Sequence, residues 1–288
     1  MAGREVNGMN NMLTEDRRRG IGGSDSAAVL GLSAYTTPYS LWCEKMGILP
    51  PKEDNEAMRL GRVLEPYVDE RFREATGFKT RRVNKVITSQ YYYPYSYAHI
   101  DRAIVGQRAG VEYKTISMMR AKEFEEGKYP QEFLCQCLHY LAVTGWETWY
   151  LAVLILQTDF KIFRIDRETV LDEINEVMTA ERDFWERYVL TKIPPPMDGE
   201  RGTTEALNSI YRTAVDNSVD LSHMEGTAVR LAALEEDRKA LDKEIEQCKQ
   251  EFKLAMGENT RAECAAWIFN WRQNKNGTRT FTKKLKGA

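Results

Sequence analysis

The sequence predicts an α/β core followed by a helical and hairpin extension, and three observations carry that expectation. Between residues 20 and 190, β-prone runs closed by glycine turns alternate with helix-period segments. The proline-rich stretch "IPPPMDG" at 193–199 then halts the pattern. Beyond it, Leu231, Leu234, Leu241, Ile245, Cys248, Phe252 and Ala255 follow alternating spacings of three and four on a charged background, interrupted by Arg238. The expected division is a core over 1–199 and an extension over 200–288.

Taken in order, "GIGGSDSAAVLGL" reads as a glycine turn into a helix, with Ser24 as N-cap and Ala27, Ala28 and Leu30 as helix formers. A second helix is expected from Glu56 to Thr76, where Leu60, Leu64, Val68 and Phe72 recur every four residues. Pro66 is expected to kink or restart it, and Gly77 to end it. The tract "VNKVITSQYYYPYSYAHIDRAIV", the turn "GQRAG" and "VEYKTIS" suggest antiparallel strands. A helix follows from Gln131 to Val143 between Pro130 and Gly145, then a buried strand "WYLAVLIL" and a half-buried neighbour "FKIFRI". Residues 167–190 form an amphipathic helix with Leu171, Ile174, Met178, Trp185 and Tyr188 near one face. The extension reads as one long helix with a narrow seam, followed by a basic hairpin turning at Asn276-Gly277.

Composition narrows the class. With 42% hydrophobic and 29% charged residues the chain is not a disordered one, and 288 residues can bury a substantial core. A net charge of −2 gives no global sign of nucleic acid, so a DNA partner requires a local basic patch. Five cysteines without CxxC spacing signal neither a disulfide framework nor a zinc site, and fit a reducing cytoplasm. No stretch approaches the roughly 18 uninterrupted apolar residues of a membrane span.

The most informative stretch is "VEYKTI", residues 111–116. In a strand, Glu112 and Lys114 project to one face while Val111, Tyr113 and Thr115 project to the other. That face is either a solvated sheet edge or the floor of a site with a metal ligand beside a cation. Asp101, in "AHIDRAIV", stands on a strand that a short turn could fold against the one carrying Glu112. Glu65 stands in a helix and Gln136 in the helix that follows. Oxygen ligands of this kind suit hard divalent cations such as magnesium. His99, two residues before Asp101, reads as structural or as touching the metal's outer shell, His139 and His223 read as structural, and "YYYPYSY" reads as core and sheet surface or as a platform for stacking bases.

The order of these features, with "IGGSDSAAVLGLSAYTTPYSLWCEKMG", "GRVLEPYVDERFREATG", "HIDRAIV", "VEYK" and "QEFLCQCLHYLAVTG", resembles the lambda-type alkaline exonucleases and YqaJ-like viral recombinases of the PD-(D/E)xK superfamily. The resemblance runs from Arg17 to Val153. It implies a restriction-endonuclease-like α/β core whose mixed central sheet, flanked by helices, presents the acids at one edge. It further implies Asp101 and Glu112 as metal ligands with the Tyr113 carbonyl, Lys114 as catalytic lysine, and Glu65 and Gln136 as outer active-site residues. Mg2+ is the implied cofactor, with Mn2+ as a substitute. Ser24 and an upstream arginine are implied to receive a DNA 5' phosphate. Arg17 is the closest match by ungapped counting, with Arg18 and Arg19 as neighbours, and a helix N-terminus would add its dipole there.

The implied activity is 5'-to-3' digestion of double-stranded DNA ends, leaving a 3' single strand for phage-type recombination. The implied setting is a homotrimer around DNA, a single-strand annealing protein as partner, and a phage or prophage gene expressed in a bacterial cytoplasm. Two alternatives stand beside it. An endonuclease or repair nuclease of the same fold would cut covalently closed circles, and a non-catalytic DNA-binding or annealing protein would need no acid cluster. Two departures are visible: Arg102 follows Asp101 where relatives often carry glycine, and the basic hairpin has no evident counterpart.

Overall fold

The computed structural model describes residues 17–50, 54–89 and 91–287; the polar segment before Arg17 and Gln90 of the tyrosine-rich run lie outside them. The chain forms two units, 1–214 and 215–288. The first runs β1 (Ile21–Gly22), α1 (Gly23–Val29), α2 (Pro38–Lys45), α3 (Glu56–Thr76), β2 (Thr80–Arg82), β3 (Ile87–Thr88), β4 (Ser96–Ala98), β5 (Arg102–Ile104) and β6 (Ala109–Ile116). It continues through α4 (Gln131–Thr144), β7 (Thr148–Ile155), β8 (Asp159–Asp166), α5 (Leu171–Phe184) and α6 (Arg201–Ile210).

The central sheet has the order β2-β5-β6-β7-β8 and is mixed: β6 and β7 are parallel, the other pairs antiparallel. Alternation along β6 and β7 sets its two faces. Ala109, Val111, Tyr113, Tyr150 and Ala152 join Val68 and Phe72 of α3 in one cluster. Leu151, Val153, Ile155 and Ile116 join Cys137, Leu138 and Leu141 of α4 in the other. Each side chain of these strands is thereby committed to one helical layer. A smaller sheet, β1-β4-β3, pairs β1 with β4 in parallel and lies beside α1 and α4.

Several expectations are refined. α3 runs unbroken through Pro66, and of its four-residue repeat only Val68 and Phe72 are buried. The amphipathic stretch is α5 followed by a π-turn at Trp185–Val189. The first unit extends past the prolines because α6 packs on α2. Thr37 and Thr203 share a hydroxyl–hydroxyl bond of 2.8 Å, and Ala206 joins Leu41 and Trp42 in one buried cluster. The tyrosine run is a stacked wall: Tyr93 lies on Tyr95, and Tyr95 on Trp185. All five cysteines are free, and among the described residues no helix is long and apolar enough to cross a membrane.

The second unit holds α7 (Glu225–Met256) and an antiparallel sheet of β9 (Arg261–Glu263), β10 (Trp267–Gln273) and β11 (Arg279–Leu285). The expected hairpin is β10–β11, with Gly277 at a positive φ of 83° in its turn. β9 makes it three-stranded.

Candidate active site

The face of β6 that carries Glu112 and Lys114 is closed by α4. Glu112 is buried, and its Oε1 accepts from Lys114 Nζ at 2.7 Å and from Gln136 Nε2 at 2.7 Å. Lys114 Nζ also donates to Gln136 Oε1 at 2.7 Å, and Gln136 Nε2 donates to the Tyr140 hydroxyl at 2.8 Å. Glu112 is therefore a buried group on an inner sheet strand, which excludes the solvated-edge reading of "VEYK".

Asp101 lies immediately before β5, whose Arg102 pairs with Val111 of β6. Its Oδ2 accepts the Tyr113 backbone N–H at 2.9 Å, fixing the carboxylate over the start of "YK". Burial, then the charge of Glu112, push the Asp101 carboxyl well above the usual carboxylate range against the pull of the Tyr113 N–H and Lys114. Burial pushes the Lys114 ammonium towards neutrality, but Glu112 and Asp101 outweigh it and hold the proton more firmly than usual. Among these protein neighbours the Lys114 ammonium is held as a cation.

Glu65 meets the site from α3 and is held by Arg102. Arg102 Nη1 donates to Glu65 Oε1 at 2.6 Å and to the Asp101 carbonyl at 2.8 Å, and its Nε lies 3.8 Å from Asp69 Oδ2. Asp69 Oδ1 in turn accepts from the Tyr113 hydroxyl at 2.6 Å. The departure at Arg102 is thus a buried cation tying α3 to β5. With Glu65 so engaged, no group of three or more His, Cys, Asp or Glu gathers as a metal cage among the described residues. The remaining donor set is Asp101, Glu112 and the Tyr113 carbonyl. It fits a hard divalent cation, because Glu112 Oε2 is buried with no hydrogen-bond partner among the described residues while Asp101 is pressed by its negative neighbour.

The expected phosphate corner abuts this cluster. A side chain at Gly23 would collide with the Tyr140 ring and Gln136 Cγ, so the glycine lets α1 begin directly against the Gln136–Tyr140 pair. The N-cap is Gly22, not Ser24; its N–H donates to Asp25 Oδ2 at 3.0 Å. Ser24 is the second helical residue, exposed, and its Oγ accepts from Arg17 Nη2 at 3.3 Å. Arg18 lies against Gly47 instead, and neither it nor Arg19 joins Ser24 among the described residues. His99 is exposed with its ring edge-on to Tyr97.

Sequence reasoning missed Asp25 and Lys45. Lys45 Nζ donates 2.6 Å to Asp25 Oδ2 and 2.8 Å to the Arg17 carbonyl. Burial opposes the Asp25 charge, yet Lys45, Arg17 and the Gly22 N–H hold its carboxyl below the usual range. This pair anchors the backbone beneath Ser24. An acid at the third helical position is the signature of a capped N-terminus and could have exposed Asp25; Lys45 carries no such signal.

Residues 14–147 match the YqaJ-like viral recombinase domain. The chain is 37% identical over 211 residues to an uncharacterized protein, YqaJ, of Bacillus subtilis strain 168. The match spans 72% of this chain and 65% of the length of that relative. The likeness to the YqaJ-like viral recombinase domain thus lies within the first unit. Among solved structures the chain is similar to an alkaline exonuclease, LHK-Exo, of Laribacter hongkongensis, at 21% identity and a TM-score of 0.48 over 61% of this chain and 94% of that one. Against LHK-Exo in complex with dAMP the values are 20%, 0.49, 62% and 94%.

Proposed function

We infer that this chain is a Mg2+-dependent exonuclease that digests duplex DNA 5' to 3' from its ends, leaving a 3' single strand for phage-type recombination with an annealing protein. The observation that carries this reading is the seating of α1. Through Gly23, the Arg17–Ser24 corner rests on Gln136, the residue that also binds Glu112 and Lys114. The Arg17–Ser24 corner, which suits an end phosphate, and the carboxylate–lysine cluster thus meet at Gln136, and this supports the reading.

Asp101, Glu112 and the Tyr113 carbonyl would hold the cation, with Mn2+ as a substitute. Held there, such a cation would supply Lewis acidity towards a water and charge neutralisation at the leaving oxygen. Lys114, pinned between Glu112 Oε1 and Gln136 Oε1, orients the attacking water and stabilises charge developing on the phosphate. Arg17 and Ser24 receive the terminal 5' phosphate, the guanidinium supplying paired donors.

The test is end-labelled duplex DNA incubated with Mg2+ or with EDTA, in 5'-phosphorylated and 5'-hydroxyl forms, beside covalently closed circles. Expected are Mg2+-dependent loss from 5' ends, faster on phosphorylated ends, and intact circles. Arg17→Ala with Ser24→Ala should erase most of the end preference. Digestion from 3' ends, equal rates on both end types, or cut circles would overturn the assignment.

A further inference from the structure

Residues 257–287 depart from the charge balance of the chain. The whole sequence carries −2, whereas this stretch holds seven cations against two carboxylates, Glu258 and Glu263. The strand register sorts them by face. Trp267, Phe269 and Trp271 share a face with Leu285, Lys283 and Phe281, their cross-strand partners. This face is turned to α7: Phe269 stacks on Phe252 with centroids 4.1 Å apart, and Phe281 lies 6.0 Å from Phe269. Arg279 is structural, lying 3.6 Å from the Trp271 ring centroid and donating to the Gly257 and Asn259 carbonyls.

The opposite face presents Asn270 and Arg272 of β10 beside Thr280, Thr282 and Lys284 of β11. Arg272, Thr280, Thr282 and Lys284 are exposed. Glu263 of β9, on the same face, is engaged by Arg261 at 2.5 Å and Lys286 at 3.0 Å. Among the described residues no carboxylate stands within ion-pair reach of Arg272 or Lys284. Apart from half-buried Ile268 opposite Lys284, the surface is a row of guanidinium, ammonium, amide and hydroxyl groups.

We propose that this outer sheet face is a second DNA-contact site that grips the phosphate backbone of duplex DNA. Donors of this composition match phosphate oxygens, and their excess positive charge supplies the sequence-independent part of binding. The duplex is favoured over a single strand because the aromatic rings, which would stack on unpaired bases, lie on the other face of the sheet, Phe269 and Phe281 against Phe252 of α7 and Trp267 and Trp271 under Lys283 and Arg279. That the polyanion is DNA rests on the nuclease reading; the geometry of the face does not. Such a grip, remote in sequence from the reacting cluster, would hold substrate between successive cleavages.

The test is fluorescence anisotropy of the full chain with a blunt duplex in EDTA, titrated with salt, for the wild type, Arg272→Ala/Lys284→Ala, Arg272→Glu/Lys284→Glu, and a control, Lys239→Ala/Lys243→Ala on α7. Two lost phosphate contacts should reduce the salt slope by about 2 and weaken binding at low salt by roughly tenfold or more, the glutamate variant more than the alanine one. The control should bind like the wild type. Initial cleavage of a short duplex at saturating enzyme should be unchanged in all. Wild-type affinity and slope in both sheet variants, an equal loss in the control, or tighter binding to single strands would overturn the proposal. A wild type that binds duplex with the expected slope but never digests it would sink the nuclease reading and leave this one standing.

Discussion

Asp101 concentrates the cost of the site in one carboxylate. It is forced next to buried Glu112, and its proton affinity is raised mainly by burial. A group whose folded-state pKa is raised stabilises the fold at low pH and loses that contribution as pH rises through the folded value. Above the ordinary carboxylate range, then, the raised proton affinity of Asp101 weighs against the fold. Asp101→Asn keeps an acceptor for the Tyr113 N–H but removes the charge, so we expect nuclease activity to vanish while Tm rises. Glu65→Ala should lower Tm instead. It removes the shorter of the two carboxylate contacts to buried Arg102 and should cost about 1.5–3 kcal/mol, the range for hydrogen bonds to charged groups. Calorimetry on the two variants separates a carboxylate strained by burial from one that neutralises a buried cation, and a lower Tm for Asp101→Asn would contradict the site assignment. The sequence pattern isolated Asp101, Glu112 and Lys114 because two of them sit at a fixed strand spacing. It could not reveal Arg102–Glu65 or Lys45–Asp25, whose partners lie far apart in sequence and meet only when α3 and α2 pack.

Between elements, the join of α4 to α5 is a buried polar lock. His139 Nδ1 lies 2.8 Å from Glu181 Oε1 and His139 Nε2 lies 2.8 Å from the Tyr97 carbonyl. The Tyr97 carbonyl accepts and an ionised Glu181 accepts, an arrangement that suits the protonated imidazole, which donates from both ring nitrogens. Ser26 Oγ adds a bond of 2.7 Å to the same carboxylate, linking α1. Burial lowers the His139 affinity for its proton, but Glu181, the Tyr97 carbonyl and Asp25 raise it above the ordinary 6.5. The resulting stability is complete below about pH 6.5 and fades as pH rises through the folded value. Urea midpoints between about pH 6 and about pH 9 should therefore fall in the wild type more steeply than in His139→Gln. Parallel profiles would show that the pair does not titrate. Alternation and turn residues made the strands, α4 and the β10–β11 hairpin legible. The bend carrying Asp101 and the third strand β9 were not, since short segments offer too few residues to show a period.

The two units differ in how they treat apolar surface. The first buries its helix faces around a mixed sheet, whereas α7 leaves Leu231, Leu234, Leu241 and Ile245 more than half exposed. In the heptad register Arg238 takes a core position between Asp237 and Asp242, at the positions that flank a coiled-coil seam. A second strand brought alongside in parallel would meet that arginine with its own acids, so the interruption in the seam is compatible with self-association. The resemblance drawn from the sequence independently implies a ring-shaped trimer that encloses DNA and keeps the enzyme on one strand through many cleavages. We propose that the chain is a trimer in solution, which light scattering at micromolar concentration should report as three times the chain mass. If the seam contributes, Leu234→Glu with Leu241→Glu should shift that mass downward or its concentration dependence upward, while thermal unfolding of the first unit stays in place. These positions are solvent-facing in the single chain, so the substitutions remove no core packing of their own. A monomer in both proteins would remove the ring and leave any processivity to the sheet of the second unit; a trimer unaffected by the substitutions would assign assembly to the recombinase domain.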